Sequence, residues 1–264
     1  MGPPFDSILD EALRSLDLSL DERARGAIEV HARLLLSWTG AINLSGHRTP
    51  EAVALHHVAD SLVAVPLMRE QAEQRGRPLS ILDLGSGGGY PGIPLAVAVP
   101  AGHVALVESV AKKAVFLEVA AAAVDRRLRA GDAGAELTEG VRIESIPARA
   151  EALARDGGQR EQWDAVVVRA VGSIAEIAEL AAPLTAIGGR IVAWKRVLPR
   201  LALDEELAAA NLLLHELGLG ETPGIVPARI PGLADHGLVV LEKRRPTPPS
   251  FPREPAERRV AGTI

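Results

Sequence analysis

Short apolar runs alternate with helical patterns along most of this chain. Runs near 79 to 84, 103 to 108, 141 to 146, 164 to 169 and 189 to 195 read as buried strands, with a last pair near 224 to 229 and 237 to 242. Helices fit between them at 92 to 99, 111 to 124, 147 to 155, 173 to 184 and 203 to 217, the last stopped by Gly218. The first 66 residues read as helices alone. Asp6 can cap one through Leu16, and Asp21 opens a longer one to Trp38 with Ile28, Leu34 and Leu35 on its buried side. Thr49-Pro50-Glu51, a capping residue followed by proline, starts a third that runs to about Leu67. The pattern predicts an α/β fold with a doubly wound, mostly parallel sheet of seven strands. It divides the chain into a helical N-terminal extension (1–66), the sheet domain (67–245) and a C-terminal tail (246–264).

The first strand ends in Asp83 and opens into Gly85, Gly87 and Gly89. Glycines at such a turn can take positive φ and let the backbone approach a ligand closely, so the turn reads as a cofactor cradle. Counted from Gly85, the nicotinamide fingerprint G-x-G-x-x-G ends on Tyr90 and fails. The frame Gly87, Gly89, Gly92 satisfies it, but is displaced from the strand end and carries Pro91 where a helix should open. The pattern that fits in place, D-x-G-x-G-x-G from Asp83 to Gly89, is the form typical of S-adenosylmethionine (SAM) methyltransferases.

In an open α/β sheet the ligand lies beyond the carboxyl ends of the strands. Glu108 ends the second strand about 20 residues after the glycines, where a carboxylate can accept both ribose hydroxyls; in isolation it could be an exposed acid at a strand end, but the glycine turn favours the ribose role. Ala150 and Glu151 follow the third strand, where the loop faces an adenine. Arg169 follows Val166, Val167 and Val168 and should not be buried unpaired, so it either points into the cleft or pairs with a structural carboxylate.

Composition narrows the setting. The 264 residues contain no cysteine, which removes disulfides and thiolate sites, and no run of eighteen apolar residues or basic-apolar leader, which predicts a cytoplasmic protein without membrane contact. A net charge of −5 argues mildly against a surface that is nucleic-acid-binding throughout. The end of the chain differs: Lys243, Arg244, Arg245, Arg253, Arg258 and Arg259 face only Glu254 and Glu257, and five of the ten residues from Pro246 to Pro255 are proline. That segment should be extended, either as a solvated end or as a basic arm.

Several separated motifs together resemble the rRNA small subunit methyltransferase G family, also known as glucose-inhibited division protein B. They are Asn43-Leu44-Ser45, His57-Val58-Ala59-Asp60-Ser61-Leu62, the glycine turn continued as Tyr90-Pro91-Gly92-Ile93-Pro94-Leu95, Glu108-Ser109 with Lys112-Lys113, Arg169-Ala170, and the proline-rich basic tail. The resemblance runs from Trp38 to the C-terminus. It implies a SAM-methyltransferase (Rossmann-like) sheet, and methyl transfer from SAM to N7 of one guanine of 16S ribosomal RNA, free or in the small subunit; a monomer is the default expectation. It also implies cofactor contacts at Gly85, Gly87, Tyr90, Ala150, Glu151 and Arg169, with Glu108 in the ribose position. Ser45 stands where threonine is more common, His56 where lysine is frequent, and Ser250 and Glu254 in places often basic, which puts RNA contacts in doubt.

Guanine N7 carries an exposed lone pair, so no acid-base residue is expected and alignment should suffice. A-form RNA hides N7 in a deep, narrow groove, so the target base must be looped or splayed out. Lys112, Lys113, Lys195, Arg196, Arg200 and Arg253 are candidate RNA contacts, although solvated helix faces explain the first two equally well. Asn43, His57 and Asp60 are candidates for the substrate mouth; from spacing alone, His57 and Asp60 form a hydrogen-bonded pair within one helix. No metal is implied. A SAM methyltransferase of another substrate, or a non-catalytic module binding SAM or RNA, remains the alternative.

Overall fold

A computed structural model describes residues 1–130, 140–169 and 172–261. Seven strands, β1 (Leu79–Leu84), β2 (Ala101–Val107), β3 (Arg142–Ile146), β4 (Trp163–Arg169), β5 (Thr185–Arg196), β6 (Gly224–Pro227) and β7 (His236–Glu242), form one sheet. Its order is β3-β2-β1-β4-β5-β7-β6. The first five pair in parallel, while β7 runs antiparallel to β5 and β6 antiparallel to β7. The order reverses between β1 and β4, so a crevice opens at the carboxyl ends of the central strands.

Alternate side chains divide the core. Ile81, Val104, Leu106, Val167 and Val192 face one layer, and Leu82, Leu84, Ala105, Val107, Val166 and Ile191 the other. The second layer comprises α8 (Ala150–Arg155), α9 (Ile174–Ala181) and α10 (Arg200–Glu216). Ser173 and Glu176 close a reciprocal capping box at the start of α9. The first layer holds α6 (Gly92–Ala98), α7 (Ala111–Arg129) and the N-terminal helices. Those are α1 (Pro3–Ser15), α2 (Glu22–Ile42), α3 (Pro50–Val53), a π-helical turn Ala54–Ala59, α4 (Asp60–Leu62) and α5 (Val65–Arg75). Asp21 caps α2, accepting from the Ala24 amide at 2.8 Å, and Thr49 caps α3 in the same way. No helix among the described residues is long and apolar enough to cross a membrane.

Three helical expectations change. Helix α1 starts at Pro3 instead of being capped by Asp6, because proline at the first position loses no helical hydrogen bond. The helix expected from 50 to 67 is broken by the π-helical turn, and α5 continues to Arg75, held by the buried Gln71, whose Nε2 donates to the Asp164 carbonyl at 2.8 Å. The tail is not free. Its proline stretch packs on the sheet domain with Phe251 buried, and a short helix α11 (Pro255–Ala261) follows.

Candidate functional site

The glycine turn is built by β1 delivering the chain to the crevice. Gly85 and Gly87 have φ of 74° and 55°, a region in which L side chains are strained. A Cβ on Gly87 would face open space, its nearest neighbour the Gly85 carbonyl at 3.9 Å. The next two glycines serve packing instead. A Cβ on Gly88 would strike Leu35 at 2.6 Å, and one on Gly89 would strike Ile93 at 2.7 Å and His31 at 2.9 Å, so their bareness admits α2 against the turn. Asp83 fixes the far end by accepting from the Gly92 amide at 2.9 Å. Burial pushes its carboxyl up to about 6, and its Oδ1 is buried without a partner among the described atoms.

Beside the turn lies a cleft at the ends of β1, β2, β3 and β4. Leu84, Gly85, Val107 and Val168 form its floor, Glu108 and Ser109 one end, and Arg149, Ala150 and Glu151 the other, with Ile177 and Leu180 of α9 as an apolar wall. Glu108 is buried and accepts from the Gly87 amide at 3.1 Å and the Val110 amide at 2.8 Å. Each carboxylate oxygen keeps a second lone pair, so two further hydroxyl protons can be accepted. An apolar slot between an anchored carboxylate and a glycine backbone has the shape and chemistry to hold a nucleoside. Glu151 is half-buried and pairs with Arg258 at 2.6 Å.

The other end of the glycine turn carries a second cluster. Tyr90 is buried, stacked between His31 (ring centroids 4.3 Å) and His57 (4.9 Å), with the Arg169 guanidinium 5.5 Å from its ring centre. Arg169 donates to the His56 carbonyl (3.0 Å), to His57 Nδ1 (2.9 Å) and to Asp60 Oδ2 (3.4 Å). A guanidinium can only donate, so His57 Nδ1 is the bare nitrogen and its Nε2–H donates to Ser45 Oγ at 2.6 Å. Burial and then the charge of Arg169 push the His57 imidazole down to about 2. Burial likewise holds His31 down to about 4, while its Nε2–H donates to the Gly88 carbonyl at 2.8 Å. Asp60 Oδ1 faces His236 Nδ1 at 3.1 Å, a contact that raises His236 above its ordinary range, and the Asp60 carbonyl accepts from Trp194 Nε1–H.

The sequence-predicted residues therefore separate into groups. Gly85, Glu108, Ala150 and Glu151 line the cleft, with Gly87 bonded to Glu108. Tyr90, Arg169, His57 and Asp60 meet in the neighbouring cluster, His57 and Asp60 joined through Arg169 rather than bonded directly to one another. Arg169 thus takes a buried carboxylate partner. Ala170 lies outside the described residues. Asn43 is exposed and ends α2 with φ 50°, two residues before Ser45 reaches His57. Among the basic candidates, Lys112 is exposed and Lys113 half-buried on α7, and neither has an ion-pair partner among the described residues. Lys195 pairs with Glu206, Arg196 with Asp235, Arg200 with Asp204, and Arg253 with the buried Glu179. Sequence reasoning missed His31, Trp194 and His236. His31 left one trace, a histidine in the apolar stripe of Ile28 and Leu35; the other two left none.

A family model described as rRNA small subunit methyltransferase G matches residues 25–213. The chain is 36% identical to the ribosomal RNA small subunit methyltransferase G of Roseiflexus castenholzii, over 96% of this chain and 100% of that protein. It is 38% identical to the protein of that name from Rubrobacter xylanophilus, over 89% of this chain and 83% of that one. Among solved structures, the fold is similar to that of an O-methyltransferase from Bacillus cereus in complex with SAH (TM-score 0.53, 16% identity, 90% of this chain and 100% of that one).

Proposed function

Because the chain belongs to the rRNA small subunit methyltransferase G family, we propose that its glycine turn joins a SAM pocket to a guanine-binding mouth, for methylation of N7 of one guanine in 16S rRNA. The chain is a SAM-dependent methyltransferase of small-subunit rRNA. One observation carries the assignment of the two sites. The turn starts at Gly85 in the nucleoside cleft and ends at Tyr90 in the Arg169–His57 cluster, so donor and acceptor regions are consecutive on one piece of backbone.

When bound, the cofactor supplies an electrophilic methyl group on a sulfonium. In this reading Glu108 accepts the ribose hydroxyls, Gly85 and Gly87 allow close backbone approach, and Ala150 and Glu151 border the base. Tyr90, buried between two imidazoles, braces Arg169, which is held by Asp60 and His57 as a rigid cationic edge of the mouth, with Asn43 among its candidate residues. His57 is not a base: Nδ1 is occupied by Arg169, Nε2 already carries the proton given to Ser45, and its basicity is suppressed. That agrees with the chemistry, since N7 has no proton to lose and orientation alone can supply about 7–11 kcal/mol in well-aligned systems. Lys112 and Lys113, without ion pairs among the described residues, are the first candidates for RNA phosphate, while Lys195, Arg196 and Arg200 reach RNA by exchanging their carboxylate partners. The protein acts in the cytoplasm as a monomer, with the helical extension, the sheet domain and the tail as its three parts.

The test is incubation of small-subunit rRNA with the protein and methyl-labelled SAM, followed by mass mapping of the RNA. The expected product is a single 7-methylguanosine. Label on another atom, or on protein, would overturn the N7 reading.

A further inference from the structure

The tail makes contacts that the family function does not require. Arg253 forks onto the buried Glu179 of α9, Nε to Oε1 at 3.0 Å and Nη2 to Oε2 at 2.6 Å, and its amide donates to the same carboxylate at 2.7 Å. Arg160 gathers the carbonyls of Thr247 and Phe251, and Arg155 that of Pro252. These anchors bring α11 to the rim of the nucleoside cleft, where Arg258 Nη2 donates to Glu151 Oε1 at 2.6 Å. Arg258 is 11% exposed and its Nε–H is buried without a partner among the described residues, as for a donor enclosed at a site rather than a surface ion pair. Glu151 lines the cleft, and Glu179 lies between the two cleft-wall residues Ile177 and Leu180. The tail is thus fastened to both walls, α8 and α9.

We propose that α11 closes the base end of the SAM cleft and that Arg258 is a positioning residue for the cofactor, holding the Glu151 carboxylate in place. This rests on the cleft being the SAM site. Burial raises the Glu151 carboxyl, but the Arg258 bond, its own backbone amide and the charges of Arg258 and Arg149 together hold it below its ordinary range, so the group stays ionised and pinned. Coupling between two sites is reciprocal, so docking of α11 should strengthen cofactor binding by the factor with which cofactor strengthens docking.

The experiment uses the full chain and S-adenosylhomocysteine, the demethylated cofactor, with binding followed by calorimetry and amide exchange over residues 255–261 by mass spectrometry. Arg258→Ala is expected to weaken binding by about tenfold, within the ordinary range for coupled sites. Arg258→Lys should recover only part, since the ammonium keeps the charge but lacks the planar guanidinium that places Nη2 on Glu151. In the unmutated protein, ligand should slow exchange over α11 by a similar factor. Equal affinity of all three proteins, or exchange unchanged by ligand, overturns the inference while leaving the cofactor site intact. No binding by the unmutated protein overturns the site assignment and the inference together.

Discussion

Tyr90, Arg169 and Asp60 show how single residues acquire roles from their neighbours. Each was visible as a motif member, yet it is the packing that makes Tyr90 a ring between two imidazoles and gives Arg169 a carboxylate. The histidines make this testable by pH. His31 and His57 have folded-state values below the ordinary 6.5, so the folded protein binds fewer protons than the unfolded chain there. Their contribution to stability is complete above that value and is lost as pH falls through it. His236, raised by Asp60, has the opposite sign: its contribution is present below 6.5 and fades as pH rises. Urea unfolding between about pH 8 and pH 5 is expected to show falling stability. His31→Gln, which keeps a donor for the Gly88 carbonyl but cannot titrate, should flatten the fall by about 2 kcal/mol. A slope identical to the unmutated protein's would contradict the neutral, buried His31.

At the scale of elements, the turn between β1 and α6 is shared by two tasks. Its early glycines face the cleft, and its later ones admit α2. The glycine pattern announced a cradle but not this division, because the approach of Leu35 and His31 depends on a helix some fifty residues earlier in the chain. Gly92 belongs to the same joint: a Cβ there would meet Asp83 Oδ2 at 2.7 Å and also Leu106. Gly92→Ala should therefore cost about 1–3 kcal/mol, as overpacking does, and should also weaken S-adenosylhomocysteine binding, because Asp83 and the start of α6 must move apart. Chemical denaturation and calorimetric titration of the variant read the two effects. The strands and most helices were legible because their signals are local: apolar runs, Asp21 and Thr49-Pro50. The π-helical turn was not, since nothing in Ala54–Ala59 marks an extra residue in a helical turn, and α5 was cut short because only tertiary contact explains its buried Gln71.

For the whole molecule, the extension and the sheet share one core. Phe5, Ile28, Leu35, Val58 and Leu62 are buried in the same cluster as Ile81, Val104 and Leu106. Residues 67–264 expressed alone should consequently show no cooperative thermal unfolding, as followed by calorimetry; a sharp transition would mean that the sheet domain completes its core without the helices. The sequence by itself determined the alternation of strands and helices, the glycine turn, the acid at Glu108 and, through separated motifs, the family. Those features are carried by residue type and spacing, which are local. Tertiary structure alone decided that Arg169 turns to Asp60 and His57, that His31 stacks on Tyr90 and His236 meets Asp60, and that the basic tail fastens itself to Glu151 and Glu179. A charge in a sequence shows only that a partner is needed once it is buried, and which partner depends on segments the chain brings together from far apart.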